Sequence, residues 1–318
     1  MNFVFLVDKY EQWDIDKDTS FCFMLGAARR GHAVYILNEG GITRKNGRIL
    51  MCVNRITPQR DPANPFGEVT GLILTEGQID AVFIRTDPPF DETYLMQTWM
   101  LDLLPKHIPV INEPSGLREC NEKIWATQFP ELMPPTLVSQ QENEILQFID
   151  ENELVVAKPV NGFGGQGIIR LSNTNYVEES LIKLTRRWSQ EIIVQKYIPE
   201  AEQGDKRILL LNGEPIGAVL RVHGPHDFRN NFMSGGSAHP AEITLHELDI
   251  CQTLKPHLQE KGLYFVGIDV IGPYLTEVNV TSPTCVQEIN KLNNVQLEDQ
   301  VIDFTEKLID QFRSPSTI

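Results

Sequence analysis

Residues 262–285, GLYFVGIDVIGPYLTEVNVTSPTC, constrain the chain more than any other stretch, because they set oxygen-bearing side chains among strongly apolar neighbours. Phe265, Gly267, Asp269 and Ile271 alternate with Val266, Ile268 and Val270, the pattern of a mostly buried strand, and Leu275 to Val280 reads as a second. Gly272, Pro273 and Tyr274 form the turn. A three-residue loop pairs Ile271 with Leu275, and counting back sets Asp269 opposite Glu277 and Gly267 opposite Asn279. Asp269, Glu277 and Asn279 then share one face. Two opposed carboxylates repel each other unless a cation lies between them. The plainer alternative is a pair of solvated groups on an exposed sheet face. The apolar positions around them imply a covered hairpin, which favours a hard divalent ion with oxygen ligands, magnesium before manganese.

A chain of 318 residues with 41% apolar side chains can bury a large core and divide into two or three domains. No run of about 18 apolar residues occurs, and MNFVFLVDKYEQWD turns acidic where a signal peptide needs a longer apolar core, so a cytoplasmic protein without a membrane partner is expected. The 28 basic and 43 acidic residues give a net charge of −15, which argues against a general nucleic-acid surface. The five cysteines, 22, 52, 120, 251 and 285, are odd in number and form no CxxC pair, so they read as reduced thiols with packing roles.

Asn2 to Val7 reads as a strand, Lys17 to Arg30 as an amphipathic helix ended by Gly31, and Ala33 to Leu37 as a second strand, the βαβ start of a doubly wound sheet. Asp18, Thr19 and Ser20 either cap that helix or present it to an anion. No GxGxxG follows the first strand. Residues 38–78 read as loops with a weak hairpin near Arg44 to Met51. Ile79 to Arg85 is a strand ending in RTDPPFD. That puts Arg85, Asp87 and Asp91 at a strand's carboxyl end, where open α/β sheets bind ligands, unless the segment is a stiff turn with Asp91 capping a helix over 92–104.

A helix through Leu117 to Phe129 and a Pro-rich link follow. Leu154 to Lys158 then leads into NGFGGQG and out along Ile168 to Leu171; glycines 162, 164, 165 and 167 expose backbone as phosphate-covering loops do, though no Walker pattern is present. Tyr176 to Trp188 reads as a helix, Ile192 to Tyr197 as a strand, and Arg207 to Leu211 with Ile216 to Val222 as a hairpin around Asn212 and Gly213. Residues 223–240 are long, polar and glycine-bearing, the profile of a mobile lid or of an idle surface insertion. Helices over 245–261 and 294–312 complete the chain.

Lys123, Lys158, Arg207, Arg221 and Arg229 join the Asp269, Glu277, Asn279 set, and cations, loop amides and a metal set are what nucleoside triphosphate chemistry requires. The order RTDPPFD, NEKIW, AKPVNGFGGQG, VQKYIPE, GDKRILLLNGEPIGAVLR, SGG and GLYFVGIDVIGPYLTEVNVTSPT resembles the bacterial glutathione synthetases of the ATP-grasp superfamily over essentially the whole chain. The resemblance implies an α/β chain with an ATP-grasp fold behind an N-terminal Rossmann-like pre-ATP-grasp domain: residues 1–119, a central subdomain 120–198, and a C-terminal subdomain 199–318 carrying the metal site and lid.

It further implies that Lys123, Lys158, Gly162, Gly164, Gly165, Gln195, Tyr197 and Ile198 hold ATP. Asp205 and Arg207 stand at the phosphate and acyl side, Arg221 and Arg229 steady anionic substrate, and Asp269, Glu277 and Asn279 hold magnesium. Ser282, Pro283 and Thr284 would lie by the peptide substrate, with Arg85, Asp87 and Ser20 on the same side. The implied reaction joins γ-glutamylcysteine to glycine through an acyl phosphate, in a homo-oligomer, tetramer or dimer. Ser237 and Lys196 depart from the family's pattern. The rivals are another ATP-grasp ligase, such as a D-alanine ligase type, and a nucleotide-binding regulatory module without turnover.

Overall fold

The computed structural model describes residues 1–10, 13–172, 178–224, 229–232 and 235–314. The first sheet has the order β4-β3-β2-β1-β5-β6. It is built from β1 (Asn2–Leu6), α1 (Thr19–Arg29), β2 (Ala33–Lys45), β3 (Arg48–Ile56), β4 (Thr70–Thr75), β5 (Ala81–Ile84), α2 (Glu92–Leu101), β6 (Val110–Ile111) and α3 (Pro114–Glu119). Strands β2, β1, β5 and β6 run parallel, the doubly wound core expected, while β3 and β4 add an antiparallel edge.

That edge bears out the hairpin expected near Arg44 to Met51 and corrects the loop reading of the rest of 38–78, which extends it and adds β4. Ile49, Met51 and Val53 are buried at every second position of β3, and Asn46 and Gly47 between β2 and β3 have φ of +52° and +83°, the two-residue turn that twists hairpin strands correctly. The helix expected over 117–129 is instead α3, a break at Cys120, and a 3₁₀ turn over Trp125–Gln128. Asn121 causes the restart: its Oδ1 accepts the amides of Lys123 and Ile124. Asp18 and Asp91 both prove to be helix caps, accepting from the amides of Phe21 and Tyr94.

The central sheet, order β7-β10-β8-β9, comprises β7 (Thr136–Ser139), α4 (Glu142–Asn152), β8 (Leu154–Pro159), β9 (Ile169–Ser172), α5 (Glu178–Leu184) and β10 (Ile192–Lys196). β7 and α4 were not read from the sequence; α4 shows only two fully buried positions, Ile145 and Ile149, one turn apart. Residues 173–177, where the notional start of the α5 helix falls, lie outside the described residues.

The third sheet, order β13-β12-β11-β14-β15, contains β11 (Asp205–Leu211), β12 (Glu214–Val222), β13 (Ser237–Pro240), α6 (Leu245–Glu260), β14 (Phe265–Ile271) and β15 (Tyr274–Asn279). α7 (Val286–Asn293) and α8 (Leu297–Arg313) follow. The end of the expected lid, Ser237–Pro240, is thus an edge strand paired with β12, while 225–228 and 233–234 lie outside the described residues. No described helix is long and apolar enough to cross a membrane.

The apolar cores show which sheets are packed together. Val4, Leu6, Val82 and Ile84 of the first sheet share one buried cluster with Ile208, Leu210, Ile268 and Leu275 of the third, and Phe3, Phe5 and Phe83 share another with Leu209, Phe265 and Val286. Apolar contact of this kind is what makes two sheets one body. The central sheet has its own cluster of Ile145, Ile149, Val155, Ala157, Leu171, Leu181, Ile192 and Val194. Asn112, just after β6, fastens the other two together: its Nδ2 donates to the carbonyls of Phe265 and Val280, and its Oδ1 accepts the Phe265 amide.

Candidate active site

The β14–β15 hairpin carries Asp269 opposite Glu277 and Gly267 opposite Asn279, as the strand alternation predicts. The turn differs from the expected three-residue loop. Ile271 pairs with Tyr274 across Gly272 and Pro273, and a bulge follows in which Leu275 opposes Val270 and Glu277 opposes Asp269, leaving Thr276 as the extra residue. Turn and bulge cancel, so the three side chains still face the same way. Thr276 Oγ1 donates to the Asp269 carbonyl, and its own carbonyl faces Lys158 Nζ at 3.5 Å.

The repulsion expected between the two carboxylates is relieved by side chains that the hairpin pattern alone does not reveal. Asp269 accepts from Arg207 Nε at 2.5 Å and Nη2 at 2.9 Å, and from Arg221 Nη2 at 3.0 Å. Glu277 is paired with Lys123 at 2.6 Å. Arg207 stands beside Asp269 because β11 pairs with β14 in that register, and Arg221 follows on β12 opposite Asp205. Asp205 takes both Nε and Nη2 of Arg221, at 2.6 and 2.8 Å, so Asp205 and Asp269 share one guanidinium.

Burial pushes the Asp269 carboxyl up, yet Arg207 and Arg221 outweigh it and hold the group well below the usual carboxylate range. Burial wins at Asp205, which is raised despite Arg221. Asn279 Nδ2 donates to Asp269 Oδ2 at 3.2 Å and to the Gly267 carbonyl at 3.3 Å. Asp269, Glu277 and Asn279 therefore present hard oxygen donors, one of them a buried, firmly ionised carboxylate. Among the described residues no group of three or more His, Cys, Asp or Glu is placed to hold a metal ion, so a metal here would rest on two carboxylates and the Asn279 amide oxygen.

Lys158, at the end of β8, is buried and donates to Gln195 Oε1 on neighbouring β10 at 3.2 Å. Burial pulls its ammonium down to about 8, with Glu277 and Asp269 opposing. Gln195 Nε2 in turn donates to Thr136 Oγ1. The glycine loop closes against two other segments: Lys123 Nζ donates to the Gly162 carbonyl, and Arg229 Nη1 to the Gly165 carbonyl at 3.0 Å. Gly164, Gly165 and Gly167 all have positive φ, and a Cβ at Gly165 would lie 2.3 Å from Asn231 Nδ2. Ile198 is buried nearby in sequence, whereas Tyr197 turns outward, its hydroxyl on Glu202 and its ring under Arg170 at 5.4 Å.

On the first sheet's side, Arg85 is buried, with its guanidinium carbon within 6 Å of the ring centres of both Phe23 and Phe265, at 5.6 and 5.8 Å. Its Nε donates to Ser20 Oγ and its Nη2 to the Pro283 carbonyl, while Ser282 Oγ donates to the Arg85 carbonyl. Ser20, Arg85, Ser282 and Pro283 thus meet, and Arg85 Nη1 is buried without a hydrogen-bond partner among the described residues. Thr284 faces the Cys285 thiol, and Asp87 is exposed with no side-chain bond to this group. Sequence reasoning missed Glu122. Its Oε1 accepts from the Val280 amide, the Thr281 amide and Thr281 Oγ1, and its carbonyl accepts the Val278 amide, so it clasps β15 on both sides of Asn279. Its adjacency to Lys123 was the available signal.

A model of the prokaryotic glutathione synthetase N-terminal domain matches residues 1–118, and one of the prokaryotic glutathione synthetase ATP-grasp domain matches 122–294. Glutathione synthetase of Synechocystis sp. is 42% identical over 320 residues, covering 96% of this chain and 99% of the relative; that of Nitrosomonas europaea is 36% identical, covering 97% and 98%. Two solved structures share the fold at 13% identity: D-cycloserine synthetase DcsG, with a TM-score of 0.66 over 98% of this chain and 100% of that one, and D-alanine–D-alanine ligase of Bacillus anthracis, with 0.57 over 98% and 99%. The fold is ATP-grasp, and the chain belongs to the prokaryotic glutathione synthetase family.

Proposed function

We infer that the chain is an ATP-dependent peptide ligase that joins γ-glutamylcysteine to glycine, releasing ADP and phosphate with glutathione. The observation that carries the reading is the charge cage on one sheet face: Arg207, Arg221, Lys123 and Lys158 surrounding Asp269, Glu277 and Asn279. Guanidinium and ammonium donors from two sheets and the linker, held by Asp205, Asp269 and Glu277, suit a polyphosphate and a carboxylate substrate brought together.

The cysteinyl carboxylate oxygen attacks the γ-phosphorus, ADP leaves, and the glycine nitrogen then displaces phosphate from the acyl carbon, losing a proton. The carboxylate is already nucleophilic, so the chain's work is positioning and charge neutralisation. Lys158 and Lys123, with the carbonyl-tied glycine loop 162–167, cradle the phosphates, and Gln195 and Ile198 border the base, with Tyr197 contributing its backbone because its ring points away. Arg207, Arg221 and Arg229 offset the charge that develops on the transferring group, with Asp205 orienting Arg221. Arg85, Ser20, Ser282, Pro283 and Thr284 receive the dipeptide, the Arg85 guanidinium balancing its anionic end, with exposed Asp87 at the rim.

Asp269, Glu277 and Asn279 fit magnesium, or manganese in its place, because such ions take one or two carboxylates and complete their shell with phosphate oxygens and water. A bound divalent ion would neutralise phosphate charge and align the γ-phosphate. Glu277 would release Lys123 to share this task. Residues 1–119, 120–198 and 199–318 act as three domains, the separately cored central one closing over ATP. The protein acts in the cytoplasm as a homo-oligomer, dimer or tetramer.

The test is ADP release by purified protein with ATP and magnesium, adding γ-glutamylcysteine and glycine singly and together. Release that needs both, with glutathione identified by mass spectrometry, is expected. ATP binding without release in any combination refutes the reading.

A further inference from the structure

Helix α2 turns apolar side chains to its outer side. Its buried residues, Tyr94, Gln97, Thr98 and Leu101, include two polar ones, whereas Met96 and Trp99 are 55% and 51% exposed. Leu103, 45% exposed, joins them in the turn that carries the helix on to Leu104 through the Met100 and Leu101 carbonyls. A helix with water on one side normally keeps its polar residues there, so an outer stripe of this kind calls for a cover. Among the described residues no other helix exposes more than one large apolar side chain. At about half exposure each, the three present roughly 300 Å² of apolar surface, a size at which a patch on a single chain often marks a contact site. Glu92, Met96, Trp99 and Leu103 step by four, three and four residues, the seam spacing of paired helices.

The charges at the two ends of the stripe indicate what covers it. Glu92 opens the helix, Lys106 and His107 follow its last turn, and all three are exposed. Neither Glu92 nor Lys106 has an ion-pair partner among the described residues. Each lies seven positions from Trp99, while Met96 lies three before it and Leu103 four after. A two-fold axis at Trp99 therefore sets Trp99 against its own copy, Met96 against Leu103, and Glu92 against Lys106 at both ends. The antiparallel arrangement also lays the positive end of each helix dipole beside the negative end of the other. A parallel pair would oppose Glu92 to Glu92 and Lys106 to Lys106, and a foreign partner would make no demand for a pattern that is its own complement. We propose that the outer side of α2 is the contact face between two copies of this chain, packed antiparallel about a two-fold axis with Trp99 at its centre. The proposal rests on the homo-oligomer reading above, to which it gives a surface, and makes no use of the ligation chemistry.

The test is sedimentation velocity on wild type and variants over a range of micromolar concentrations. Wild type should run as a dimer or a tetramer. Trp99→Glu removes the central side chain from both copies and opposes two carboxylates there. Loss of two such anchors corresponds to about a thousand-fold rise in the dissociation constant, so the assembly should fall to half its mass while keeping its far-ultraviolet circular dichroism. Glu92→Lys and Lys106→Glu should each weaken the assembly by roughly tenfold, because one change alters two contacts. Mixed in equal amounts, those two variants should recover wild-type affinity as a mixed pair, since each copy then meets only opposite charges. An unchanged mass for Trp99→Glu, or a mixture no tighter than its parents, overturns the proposal and leaves the homo-oligomer reading standing. The charge variants change exposed positions and decide the matter should Trp99→Glu unfold. Wild type that stays monomeric at tens of micromolar overturns both readings and leaves the stripe to a different protein.

Discussion

Asp269→Asn and Glu277→Gln are near-isosteric changes on one sheet face, and the structure requires them to behave differently. The Asp269 side chain is 7% exposed and neutralises Arg207 and Arg221, each also 7% exposed. Its amide replacement leaves two buried guanidinium groups with only Asp205, on Arg221, to balance them. Removing one member of a buried charge pair costs about 3–5 kcal/mol. At 2–4 °C per kcal/mol for a unit of this size, the melting temperature should fall by roughly 6–20 °C. The Glu277 side chain is 21% exposed, and Lys123 keeps the Gly162 carbonyl when that carboxylate is lost. The cost should be about 1–2 kcal/mol, between the limits for exposed and buried pairs.

Activity should separate the other way. Both variants lose an oxygen ligand of the proposed metal set, and several kcal/mol of charge stabilisation corresponds to at least ~10²-fold in turnover. Glu277→Gln should therefore be a folded, nearly inactive protein, and Asp269→Asn an inactive and visibly unstable one. Scanning calorimetry and ADP release measured on the same preparations check both halves. Equal melting temperatures for Asp269→Asn and wild type would refute the ion-pair argument. Wild-type turnover by Glu277→Gln would refute the metal assignment.

Two further predictions concern the nucleotide side. Because burial lowers the Lys158 ammonium to about 8 against an ordinary value of 10.5, the free protein loses that charge as pH rises through 8, and bound phosphates should restore it. ATP binding at pH 8.5–9 should then take up close to one proton, seen by calorimetry in buffers of different ionisation enthalpy, and Lys158→Met should abolish the uptake. The sign for stability follows: the unfolded chain binds more protons between 8 and 10.5, so this group's contribution to stability increases with pH across that window. Gly165→Ala puts a methyl 2.3 Å from Asn231 Nδ2 at a φ of +74°, so the loop must shift. The left-handed conformation alone costs about 1–2 kcal/mol, and the ATP KM should rise about tenfold in kinetics with little change in melting temperature.

What the sequence alone determined was periodic and local. Alternation along 265–271 and 275–280 placed Asp269, Glu277 and Asn279 on one face, the Asn212–Gly213 pair marked its hairpin, and the glycines of 162–167 marked a backbone-exposing loop. The three-residue turn was wrong, yet the face survived because the Thr276 bulge restored the missing residue. The Asn46–Gly47 turn shows the converse: it lies inside the weak hairpin read near Arg44 to Met51, and the loop-rich surroundings hid how far its strands extend.

Only the tertiary structure decided which charges meet. Arg207 lies 62 residues from Asp269, and Glu122 lies 158 from Val280, the amide it accepts from. No pattern of period two or 3.6 links such positions; they come together because β11 pairs with β14 and because Asn112 and Glu122 tie the first sheet and its linker to the hairpin. Strand periodicity fixes which way a side chain faces, since that depends on the backbone of its own strand. Which cation stands opposite depends on the apolar contact that joins the first and third sheets into one body, and that contact exists only in the folded chain.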